Sequence, residues 1–128
     1  MDVNLPAVVA EVTERFNAYE QALVAGDAER LDADFWSSEL TVRYGVNECL
    51  YGAEAIAEWR RTAPPIPPDR RLGPTVVATF GHDLACVSTE FRSGGAPIAG
   101  RQSQTWVRLP EGWRIVAAHV SILRTDAT

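Results

Sequence analysis

The sequence predicts one α+β domain spanning residues 1–128, with helices first and a largely antiparallel sheet after them. Apolar residues recur at helical spacing near the N-terminus, and long β-rich runs separated by turn residues fill the second half. A chain of 128 residues buries one core without disulfides or metal, and no interior stretch reads as a domain linker.

From Leu5 to Ala25, the residues Leu5, Val8, Val9, Val12, Phe16, Tyr19 and Leu23 share one helical stripe, with Glu11, Glu14, Arg15 and Glu20 elsewhere. Gly26 stops this helix, and Asp27 caps a short second one reaching about Phe35. The run Leu40 to Gly45, rich in β-branched and aromatic residues, reads as a strand. Val46-Asn47 supplies the turn, and Glu48 to Gly52 supplies a short return strand. A third helix covers Ala53 to Thr62, with Ile56 and Trp59 on its inner face. Pro64, Pro65, Pro67 and Pro68 then enforce a stiff connection. Four long strands follow, at about 71–80, 83–92, 98–109 and 113–124, turning at Gly81-His82, Ser93 to Ala96, and Pro110 to Gly112. The resulting order is ααββαββββ. A strongly curved sheet, antiparallel or mixed, wrapped around the first helix leaves a pocket at one end.

Composition narrows the function. A net charge of −5 argues against a nucleic-acid backbone as partner. No apolar run approaches the roughly 18 residues that span a membrane, and Met1 to Pro6 carry no basic leader, so a cytoplasmic location is expected. Every basic residue is an arginine; the absence of lysine excludes Schiff-base and lysine-nucleophile chemistry. Cys49 and Cys86 lack any ligand or redox spacing and read as two buried free thiols, so neither metal nor cofactor is expected. There is no nucleophile elbow, Walker loop, HExxH or dinucleotide fingerprint.

Two groups of motifs carry a resemblance over nearly the whole chain. Ala25-Gly26-Asp27 and Gly112 to Ser121, in this element order, resemble the SnoaL/ketosteroid-isomerase-like superfamily of cone-shaped α+β barrels. More narrowly, Phe35-Trp36, Thr41 to Gly45, Leu50 to Gly52 and Gly100 to Arg108 are similar to the AtzH-like family, which also takes in HpxZ-like proteins. The resemblance implies a cofactor-free amidase of nitrogen catabolism that converts 1,3-dicarboxyurea to allophanate. It also implies active roles for a tyrosine on the first helix and an arginine on the first strand, here Tyr19 and Arg43. Ketosteroid isomerases place their oxyanion-hole tyrosine seven residues before a Gly-Asp, as Tyr19 stands here, but carry their general-base aspartate near the position of Arg43. Steroid-type proton abstraction is therefore not expected.

The candidate site follows from strand and helix parity. Tyr19 shares the buried face of the first helix, where its hydroxyl either ties to a backbone carbonyl or donates to an oxyanion. Arg43 faces either solvent or the interior. An interior guanidinium needs a carboxylate, from Glu48, Glu90 or a substrate. A tight hairpin at Pro110 to Gly112 sets Gln104 opposite His119 and Gln102 opposite Ser121 on one inward face, with Arg101 outward. His119 is then either a core histidine bonded to Gln104 or a proton-transfer group. Trp106, in phase with the glutamines, and Trp59, at the rim, wall the pocket. His82 sits in a solvated turn. The expected partners are a small anionic carboxylate and a second copy of the chain, as a homodimer or higher oligomer through an apolar outer sheet face (Val76, Ala78, Val87, Thr89, Val107). A carboxylate-binding module without turnover and an oligomerisation domain of the same fold are the alternatives.

Overall fold

The computed structural model describes residues 1–93, 95 and 99–124. Helix α1 (Pro6–Ala25) leads, followed by α2 (Ala28–Asp34), β1 (Val42–Tyr44), β2 (Cys49–Tyr51), α3 (Ala53–Thr62), β3 (Arg71–Phe80), β4 (Leu84–Arg92), β5 (Gly100–Leu109) and β6 (Gly112–Ile122). The six strands make one sheet in the order β2-β1-β6-β5-β4-β3. Every neighbouring pair is antiparallel except β1 with β6, which run parallel. The sheet is therefore mixed.

Local chemistry sets the helix boundaries. Pro6 occupies the first turn of α1, where its missing N–H costs nothing. Val8, Val12, Phe16, Tyr19 and Ala22 form the buried stripe. Gly26 ends the helix in the left-handed region at φ 71°, and Asp27 accepts the Arg30 backbone N–H at 3.2 Å to start α2. Arg15 of α1 pairs with the buried Asp34 of α2 and locks the two helices together. Burial pushes the Asp34 carboxyl above its ordinary value, with Arg15 and Arg30 pulling it back. The inner face of the sheet supplies Ala85, Val87, Trp106, Trp113, Ile115 and Ala118 to the core that α1 fills. No described helix is long and apolar enough to cross a membrane.

The first two strands are shorter than expected. Leu40 is exposed, and Thr41, whose carbonyl accepts from Gly52 N at 2.7 Å, ties its hydroxyl to Trp36 O at 2.7 Å at the start of β1. Both cysteines are exposed, not buried: Cys86 alternates with the inward Ala85 and Val87, and Cys49 lies on the edge strand β2. The same alternation corrects the outer face. Val87 and Thr89 point inward, and the exposed apolar residues there include Val76 and Leu84.

The β5–β6 register departs from expectation. Trp106 pairs with Ile115 but Thr105 pairs with Ala117, so Val116 is an unpaired bulge residue. Beyond it, Gln104 faces Ala118 and Gln102 faces Val120, while Ser103 pairs with His119 and Arg101 with Ser121. One residue of slip moves a side chain to the other face of a sheet. His119 and Ser121 thus lie outside, with His119 exposed against Tyr44 (ring centroids 5.7 Å apart) and Ser121 accepting a bond from Arg101 at 3.2 Å.

Candidate functional site

Tyr19 marks the centre. It is 4% exposed and held edge-on by Phe35 and Trp106, each with centroids 6.4 Å away. Its hydroxyl makes no hydrogen bond to a described residue, and it is not among the fully buried unpaired side-chain atoms. A tyrosine hydroxyl on a buried ring normally finds a partner, and this one is open to a group from outside the protein. Burial drives its pKa up, whereas the positive charges of Arg60, Arg43 and Arg70 draw it down and Glu20 adds to the rise.

Arg43 faces inward because its β6 partner position is the buried Ala118. Its guanidinium lies 4.0 Å from the centroid of the Trp59 ring, and Nη1 donates to Glu48 Oε1 at 2.6 Å. Of the two protein carboxylates open to it, Glu48 is the partner; Glu90 is exposed on β4. The Glu48 side chain folds back across Gly45, where an added Cβ would lie 1.8 Å from Glu48 Oε1 and 2.7 Å from Arg43 Nη1. Only glycine leaves that space.

Two further arginines, Arg60 and Arg70, have largely buried side chains. Arg60 on α3 donates from Nε to Asp32 Oδ1 at 2.7 Å, and its side chain is 7% exposed. The guanidinium carbon lies 5.4 Å from the Phe35 ring and 5.8 Å from the Trp59 ring, and Nη2 is buried without a partner among the described residues. Arg70, from the proline-rich connection, donates from Nε and Nη2 to the two carboxylate oxygens of Glu20, at 2.9 and 3.3 Å. Gln102 joins this knot, accepting from Arg70 at 3.4 Å and donating to Glu20 at 3.2 Å. The Arg70 guanidinium rests 4.1 Å from the Phe91 ring, which itself lies over Gly100. Gln104 accepts from Trp106 Nε1 at 3.1 Å.

Of the residues expected from sequence, Tyr19, Arg43, Gln102, Gln104, Trp59 and Trp106 are on the inner side, and His119 and Ser121 are not. Arg60, Arg70 and Glu20 were not anticipated. Arg60 stands one helical turn after the buried Ile56, a spacing that points it inward. Arg70 lies outside any helix or strand, where no periodicity signals its direction. The assembled groups suit an anion. The charges of Arg60, Arg43 and Arg70 all act on the Tyr19 phenol beside aromatic rings, where hydrogen bonds to charge are strong. Among the described residues, no group of three or more His, Cys, Asp or Glu is placed to hold a metal ion.

Several known proteins are similar to this chain in sequence and fold. A family model described as AtzH-like matches residues 1–126. A cystatin-like fold protein from Burkholderia xenovorans LB400 is 52% identical, with a TM-score of 0.94 over 98% of this chain and 99% of its own. A protein of unknown function of the DUF3225 family from Pectobacterium atrosepticum is 53% identical, with a TM-score of 0.93 over 96% of each chain. An NTF2-like protein from Pseudomonas putida shares the fold at 17% identity, with a TM-score of 0.76 over 94% of this chain and 89% of its own. No curated protein matches the chain.

Proposed function

The chain belongs to the AtzH-like family, and from that premise we propose that it is a cofactor-free amidase that removes one carboxyl group from a carboxylated urea, converting 1,3-dicarboxyurea to allophanate. The observation that carries this reading is the partnerless Tyr19 hydroxyl, buried in the influence of Arg60, Arg43 and Arg70. Such a phenol keeps its proton at neutral pH, and the surrounding guanidinium charge stabilises the tyrosinate left when the proton is given up.

Arg43 holds the substrate carboxylate that remains in the product, through N–H groups not engaged by Glu48. Tyr19 gives its proton to the nitrogen of the other N-carboxy group. The C–N bond breaks with its electron pair kept by nitrogen, carbon dioxide leaves, and the tyrosinate takes a proton from water. Gln102 and Gln104 orient the ureido core, while Trp59 and Trp106 wall it from solvent. Cytoplasmic residence belongs to the same proposal, as does self-association through the outer sheet face around Val76 and Leu84; cell fractionation and analytical sedimentation test these.

The activity test is direct. Purified protein is incubated with freshly generated dicarboxyurea, and allophanate and carbon dioxide are followed. The expected result is allophanate formation well above the buffer rate. A rate equal to buffer across about pH 6 to 9 overturns the assignment.

A further inference from the structure

We propose that Arg60 is a second anion receptor, which together with Arg43 makes this a site for dicarboxylates in preference to monocarboxylates. The inference rests on the reading of the site as one for an anionic carboxylate, and it names what selects the substrate there.

The three interior arginines differ in how much of their donor capacity is spent. Arg70 is the most heavily engaged, with Nε and Nη2 donating to both carboxylate oxygens of Glu20 and to Gln102. Arg43 donates to Glu48 from Nη1, and Arg60 donates to Asp32 from Nε. Each guanidinium carries five N–H groups, so both retain donors, and for Arg60 the unspent Nη2 is fully withdrawn from solvent. A buried N–H without an acceptor is costly, and an anion arriving there meets no competition from water.

The two arginines are also within reach of one small molecule. Their guanidinium carbons lie 4.0 Å (Arg43) and 5.8 Å (Arg60) from the same Trp59 ring centroid, so their separation is less than the sum of those lengths. Both sit close enough to Tyr19 to draw down its pKa, with Arg60 the stronger. A small molecule with carboxylates at both ends is long enough to engage one arginine with each beside the Trp59 indole.

An approach to Arg60 exists. A cavity of about 240 Å3 is lined by Arg60 and Trp59 together with Leu23, Leu31, Pro64 and Ile66. That volume is below the roughly 300 Å3 at which drug-sized pockets begin, and Arg43 and Tyr19 do not line it, so it leads to Arg60 from one side only. One wall of it is the stretch 63–66, outside any helix or strand.

The test uses glutarate, which has the same number of atoms between its carboxylates as dicarboxyurea, and butyrate, which lacks one carboxylate. Calorimetric titration of the wild-type chain should show glutarate bound at least about tenfold more tightly than butyrate. Arg60→Met should lose about 10- to 100-fold in glutarate affinity, the worth of a hydrogen bond to charge, and leave butyrate affinity unchanged. Equal wild-type affinities, or an equal loss of both ligands in the variant, overturn the proposal. Should Arg60→Met not fold, Arg60→Lys decides. The shorter, single-point charge should still abolish the preference for glutarate, and an undiminished preference overturns the proposal. Binding is read without turnover. A wild-type chain that prefers glutarate but leaves dicarboxyurea intact therefore supports this inference while sinking the amidase reading.

Discussion

Two arginine clusters flank Tyr19, built from the same residue types to different effect. On one side, Arg70, Glu20 and Gln102 satisfy one another, and the Arg70 and Glu20 side chains are 4% and 12% exposed. On the other, Arg43 and Arg60 share the Trp59 wall, and their acidic partners Glu48 and Asp32 are 22% and 35% exposed. The first cluster is closed: Arg70 and Glu20 pair through two hydrogen bonds, shielded from water, and hold the connector against α1. The second is open, with donors left over and counter-ions that water already reaches. Burial of charge alone does not mark a binding site; spare hydrogen-bonding capacity does.

Breaking the closed cluster should hurt folding most. Arg70→Met leaves Glu20 buried and unpaired, and a loss of about 3–5 kcal/mol is expected in urea denaturation. A variant as stable as the parent would erase the distinction between the clusters. Tyr19→Phe should act in the opposite sense. It should lower kcat about 10²- to 10³-fold, the worth of one oxyanion donor, with KM nearly unchanged. Stability should hold or rise, because the hydroxyl removed has no partner to leave behind. A loss of stability on this change would mean that the phenol serves the core.

Gly45→Ala tests how the open cluster is held. The added methyl must drive Glu48 away from Arg43, and KM should change by about tenfold, equivalent to roughly 1.4 kcal/mol, with kcat preserved. Unchanged kinetics would mean that Glu48 has no part in aiming Arg43. The effect of pH is smaller. Because the Tyr19 pKa is raised from 10.0, the folded chain keeps a proton that the unfolded chain sheds. The stability this provides is complete below pH 10.0 and lost as pH rises through the folded-state value. Denaturant melts from pH 9 to 11 should show the parent losing stability relative to Tyr19→Phe only above about pH 10. Smallest of all, His119→Ala should leave activity within about twofold, as expected for an exposed side chain.

Much of this was legible in the chain. The stripe from Val8 to Ala22, the Gly26-Asp27 junction and the four long strands come from local periodicity and turn chemistry, and they stand nearly where expected. Tyr19, Gln102, Gln104 and Trp106 face inward because parity alone decides them. His119 and Ser121 were misplaced because their direction depends on a bulge opposite Thr105 and Trp106, which the alternating letters of β6 conceal. Cys86 and Val87 follow from the phase of β4, which the sequence leaves open by one residue. Arg60 was readable from its spacing to Ile56. Arg70 was not, since only the tertiary fold brings the connector against Glu20.

The unpaired Val116 acts as a phase selector for the end of β6. Upstream of it the sheet looks inward with Trp113 and Ile115; downstream, with Ala118 in place of an imidazole. Two chains with identical letters after residue 116 would line their interiors with different functional groups if only one of them kept this irregularity. A comparison of such barrels position by position, blind to where the ladder skips, would assign the wrong side chains to the reaction chamber.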